Sequence, residues 1–103
     1  MMVERDTVLL MYFVEVAGGD LSKKEVIKTI EKDLACALKK YDAKIHEIKE
    51  LYGHYDLYFS VEHPKRRRNS GYLFVEEMIA KKLRETNRVY NITLLRTIGD
   101  KHE

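Results

Sequence analysis

Lys65, Arg66, Arg67 and Arg68 place four positive charges side by side, the most concentrated chemistry in the sequence. Such a run can neutralise phosphates, and seven tyrosines could supply stacking platforms for the bases of RNA or DNA. Lys23, Lys24, Lys81, Lys82, Arg84 and Arg88 could extend that basic surface. A solvated loop whose charges deter edge-to-edge aggregation accounts for the same run. His46, His54 and His63 are the next reactive groups, and His54 with Asp56 or His46 could bind a metal or act as a base. Their spacing matches no metal motif, so no metal site is assigned, and no cofactor. Cys36 has no CxxC partner and reads as an inert thiol. Gly18-Gly19-Asp20 precedes a helix start, where free N–H groups favour anions, yet neither GxGxxG nor a Lys-Ser/Thr pair follows. With no nucleophile constellation either, the chain is expected to have no catalytic activity.

Composition narrows the classes further. The 103 residues suit one domain, with a core over about 7–98, and are few enough that pairing with another copy would help. Hydrophobic residues make up 45% and charged residues 35%, a globular balance, and the charged share suits a protein that works at high temperature. A net charge of +2 is too small to imply nucleic acid without a local cluster. One cysteine rules out an internal disulfide. The start lacks the basic-then-apolar pattern of a signal peptide, and the longest apolar run is too short to cross a bilayer. A cytoplasmic location and no membrane partner are therefore expected.

The elements that would carry these residues follow from periodicity. Val8 to Val16 is apolar except for Glu15, the pattern of a strand covered on both faces. Ser22 and Glu25 form a capping box, which predicts a helix whose stripe is Val26, Ile27, Ile30, Leu34, Ala37, Leu38 and Tyr41. Cys36 falls toward its polar side. Lys44 to Tyr52 follows no clean period and reads as an edge strand with a bulge or a helical turn. Gly53 then reverses the chain into a strand over 55–62, with Tyr55, Leu57, Phe59 and Val61 facing the core. Pro64 ends it. A second helix follows, with Phe74, Val75, Met78, Ile79 and Leu83 as its stripe. The last strand, Val89 to Ile98, sets Tyr90, Ile92, Leu94 and Ile98 on one face and Asn91, Thr93, Leu95 and Thr97 on the other.

Strand, helix, strand, strand, helix, strand is the plan of an α+β ferredoxin-like βαββαβ sandwich, a four-stranded antiparallel sheet with two helices on one face. Its first and third strands should be central, leaving one sheet face uncovered. Tyr12, Tyr58 and Thr93 are expected on that face, lining a subunit interface or a ligand groove. An uncovered apolar patch of this extent predicts a homo-oligomer formed through it. The same topology belongs to the RNA-recognition motif, but HYDLYFSV puts Asp56 and Ser60 where that module needs glycines and aromatics.

With the strands placed, Gly53-His54-Tyr55-Asp56 resembles the turn of the effector-binding (RAM) domain of Lrp/AsnC-type transcription regulators. Phe74, Leu83, Val89, Thr93, Leu94 and Leu95 also stand in the order of that family's last helix and strand. The longer first helix, the KRRR loop and the lack of a preceding helix-turn-helix depart from it, so the resemblance implies a stand-alone version. It further implies subunits joined through open sheets, a small effector such as an amino acid between them, and Gly53, Tyr55 and Asp56 as ligand-side positions. A turn glycine admits a ligand to the backbone, and a carboxylate can receive an ammonium group. The plainer alternative is that Gly53 makes the hairpin, Tyr55 packs and Asp56 bonds the turn backbone. The expected function is thus a non-enzymatic regulatory module that binds a small effector. The alternative is a nucleic-acid-binding accessory protein using Lys65 to Arg68.

Overall fold

In the computed structural model, residues 7–64 and 70–97 are described. Strand β1 (Thr7–Val16) lies between β3 (Leu57–Pro64) and β4 (Val89–Arg96), and β2 (Lys44–Glu50) completes the sheet in the order β2-β3-β1-β4. All three pairings are antiparallel. The ferredoxin-like plan, with β1 and β3 in the middle, is therefore realised.

Period-two alternation sorts β1. Val8, Leu10, Tyr12, Val14 and Val16 are buried against the helices, whereas Leu9, Met11 and Phe13 lie half-buried on the opposite face. Tyr12 is thus a core residue, stacked on Phe59 with ring centroids 4.9 Å apart, and not an open-face residue as expected. Adjacent central strands place residues 12 and 59 directly opposite one another. Tyr58 and Thr93 do lie on the open face, as cross-strand partners of Phe13.

Helix α1 (Gly19–Thr29) begins earlier than the expected capping box. Gly18, at φ 98°, turns the chain into it, and no side chain caps it. Ser22 sits inside the first turns and accepts a hydrogen bond of 2.8 Å from Arg88 Nη1, while Glu25 lies 3.7 Å from Arg88 Nε. One helical turn separates the two, so both reach the arginine that leads into β4. Tertiary contact thereby replaced the local cap.

The helix continues through a π turn (Ile30–Leu34), a short α2 (Ala35–Leu38) and a 3₁₀ turn (Lys39–Tyr41). Val26, Ile30, Leu34 and Leu38 are completely buried. A spacing of four drifts by about 40° per step around an ideal α-helix. The wider i→i+5 turn of the π segment unwinds that drift and holds the stripe on the sheet. Asp42, at φ 59°, ends the run, with Ala43 N donating to Leu38 O at 3.1 Å.

Strand β2 is an edge strand whose register slips between Ile45 and Glu47, so a bulge at His46 explains the missing period. Helix α3 (Ser70–Arg84) buries Tyr72, Val75, Ile79 and Leu83. Phe74, expected in that stripe, is 65% exposed, because Tyr72 begins the spacing that Val75, Ile79 and Leu83 continue. Ile98 lies outside the described residues. None of the described helices is long and apolar enough to cross a membrane.

Candidate functional site

The open face of the sheet carries Leu9, Met11 and Phe13 from β1, Tyr58 and Ser60 from β3, and Thr93 and Leu95 from β4. At the end of this face where the 51–56 hairpin loop meets β1 and β4, the apolar strip gives way to Glu15. Its neighbours arrive from two segments.

The loop is the first of them. Gly53 adopts φ 107°, a conformation that a side chain would strain, and Leu51 N donates to Asp56 O at 3.0 Å to close the turn. Asp56 then stitches the loop to β1. Its N–H donates to Val14 O at 2.9 Å, and its Oδ2 accepts from Val16 N at 2.8 Å. The carboxylate thus extends the β1–β3 ladder one step past the last strand pair. This bond runs to β1 and not within the turn itself. Tyr55 lies outside β3 and away from the core face on which alternation put it. Its ring lies 5.6 Å from Phe13 and its hydroxyl shares a hydrogen bond of 2.9 Å with Thr93 Oγ1, both on the open face. Gly53, Tyr55 and Asp56 therefore sit beside one end of that face.

Strand β4 supplies the second segment. Asn91 pairs with Glu15 and Val89 with Val16, so one step on β1 spans two on β4 and Tyr90 is the extra residue. This bulge corrects the expected alternation: Tyr90 does not join Ile92 and Leu94 on the core side but reaches Glu15, where it is 67% exposed. Its phenol pKa is raised above the usual value, first by the negative charge of Glu15 and then by their hydrogen bond, with smaller contributions from desolvation and from Asp56.

Glu15 itself is only 7% exposed. Its Oε2 accepts from Asn91 Nδ2 at 2.6 Å and lies 3.3 Å from His54 Nε2. No lysine or arginine of the described residues pairs with it, although burying a carboxylate without a cation is costly. Sequence reasoning assigned Glu15 no role, but the signal was present: it is the single charge in an otherwise apolar run of nine residues.

Other candidates are dispersed. His46 Nδ1 donates to Glu62 Oε2 at 2.7 Å, between β2 and β3. His63 is buried, with its ring 5.2 Å from Tyr72. The three histidines do not converge, and among the described residues no group of three or more His, Cys, Asp or Glu could hold a metal ion. Cys36 is exposed. Lys65, Arg66, Arg67 and Arg68 lie outside the described residues.

No family model matches the chain, and no curated protein matches it. Solved structures do. A dabb family protein with a ferredoxin-like fold from Mesorhizobium loti shares 13% identity at a TM-score of 0.64, covering 94% of this chain and 100% of that one. PH0061 shares 12% identity at a TM-score of 0.63, covering 95% of this chain but 56% of its own, so the present chain spans little more than half of that protein. A dimeric ferredoxin-like protein from an uncultured marine organism shares 17% identity at a TM-score of 0.58, covering 96% and 94% of the two chains. At these identities the likeness shows the ferredoxin-like fold, and it does not extend to Lrp/AsnC-type kinship.

Proposed function

We propose that the protein is a non-enzymatic regulatory module that self-associates through its open sheet face and binds a small amine-bearing effector, such as an amino acid, at the Glu15 end of that face. The observation that carries the reading is the carboxylate of Glu15, nine-tenths buried and without a lysine or arginine partner among the described residues. An ammonium group would compensate that charge, and the rings of Tyr55, Phe13 and Tyr90 would flank its carbon skeleton. Half-buried Leu9, Met11 and Phe13 support the self-association, as does the dimeric state of the ferredoxin-like neighbour from an uncultured marine organism. Asp56 has a different task in this reading. Its Oδ2 is bonded to Val16 N, so it shapes the site from behind.

A thermal-shift screen of amino acids against wild type, Glu15→Gln and Asp56→Ala tests this. An effector at about 100 times its Kd stabilises by about 2.7 kcal/mol, which raises Tm by roughly 10 °C or more in a domain of this size. Glu15→Gln is expected to remove the shift while folding normally. Asp56→Ala is expected to lower the unliganded Tm, by the loss of about 1–3 kcal/mol, and to retain part of the shift. A full shift in Glu15→Gln would reject the assignment of Glu15, and the absence of any amine-dependent shift in wild type would reject the effector reading.

A further inference from the structure

The two edges of the sheet are built differently. β2 is blunted by Lys44, Glu47, Lys49 and Glu50 and by the bulge at His46, the devices that keep sheet edges from pairing. β4 has none of these between Asn91 and Leu95, a stretch reading NITLL without charge or proline. Its only bulge, at Tyr90, precedes that stretch.

The hydrogen-bond parity of β4 says which backbone groups are free. Thr97 N donates to Leu9 O at 3.1 Å, so the odd residues from Asn91 to Thr97 face β1. In an antiparallel ladder the intervening residues then point their N–H and C=O groups outward. These are Ile92, Leu94 and Arg96, and among the described residues β4 pairs with β1 alone.

We propose that this edge pairs with β4 of a second copy, antiparallel, about a two-fold axis that passes through the Thr93 pair and is normal to the sheet. The axis keeps the helices of both copies on one side, so opposed residues must share a face. Pairing outward-facing residues with one another permits centres at Ile92, Thr93 or Leu94. The Thr93 centre sets Ile92 opposite the partner's Leu94 on the helix side, in two equivalent apolar pairs. It also sets the two Thr93 side chains together on the open face and holds the two Arg96 side chains apart. Apolar and Thr–Thr cross-strand pairs each stabilise a sheet, and no like charges oppose. Centring on Leu94 overlaps fewer strand residues, and centring on Ile92 draws in the bulge. The product is one continuous eight-stranded sheet, a contact that is independent of association through the open face.

Amide hydrogen exchange on the wild-type protein distinguishes the two contacts. In the edge-paired assembly the Ile92 and Leu94 amides are expected to exchange about a hundredfold slower than free amides, losing that protection on dilution. Open-face association leaves them free. Register is read in a Cys36→Ser background by air oxidation of Thr93→Cys, Asn91→Cys and Leu95→Cys. Opposed non-hydrogen-bonded residues lie about 4.5 Å apart at Cα, within disulfide reach, so Thr93→Cys is expected to form a covalent dimer and the other two are not. Fast exchange at Ile92 and Leu94 overturns the proposal, even beside a Thr93→Cys dimer, which would then report open-face contact. Slow exchange without the Thr93→Cys dimer overturns the register, and a chain that stays monomeric at millimolar concentration overturns both.

Discussion

Two carboxylates and a phenol show how differently one residue type is used according to its surroundings. Glu15 holds a charge on the open face, and Asp56 completes a ladder. Tyr12 lies in the core with its hydroxyl buried and without a hydrogen-bond partner among the described residues. Burial and then the charge of Glu76 push its pKa up, against the opposing effect of Arg96. A raised folded pKa means that the folded state holds its proton while the unfolded tyrosine ionises near 10. Stability from this group is therefore whole below about pH 10 and falls above it. Tyr12→Phe removes both the orphaned hydroxyl and the titration. Equilibrium unfolding is expected to show a change between zero and about 1 kcal/mol of stabilisation at pH 7, and a shallower loss between pH 10 and 11. A loss of more than about 1 kcal/mol at pH 7 would mean that the hydroxyl has a partner.

At the scale of elements, each departure from simple periodicity has a task. The π turn keeps Val26, Ile30, Leu34 and Leu38 on the sheet, the bulge at His46 blunts an edge, and the bulge at Tyr90 turns a phenol toward Glu15. The start of α1 rests on Gly18, whose φ of 98° disfavours any side chain and where a Cβ would collide with Ser22 Oγ. Ser22 cannot move away without giving up its bond to Arg88. Gly18→Ala is expected to lower stability by about 1–3 kcal/mol by chemical denaturation. Gly19→Ala, equally strained at φ 79° but with open space at its Cβ, should cost less.

For the molecule as a whole, the asymmetry of the sheet governs what it can join. One face is sealed by α1 and α3, while the other presents Leu9, Met11, Phe13 and Tyr58. An aspartate at the centre of that strip would need desolvation on association, so Phe13→Asp is expected to lower the assembly mass in light scattering to that of the edge-paired dimer, with its fold retained by circular dichroism. An unchanged mass would place self-association elsewhere, with the β4 edge as the first place to look.

The sequence alone determined the order of elements, the central positions of β1 and β3, the Gly53 turn and the hidden face of β3 from Leu57 to Val61. Each depends on a local signal: period-two alternation, a glycine with positive φ, or a run apolar on both sides. Even the odd residue out, Glu15, was legible as a charge where none was expected. What only the tertiary structure decided were the cap taken over by Arg88, the exchange of Phe74 for Tyr72 in the core, and the convergence of Tyr90, Asn91, His54 and Glu15. The physical reason is shared. A bulge or a one-residue change of register costs little locally, yet it inverts which face every following side chain takes, and only contacts between distant segments select among such choices.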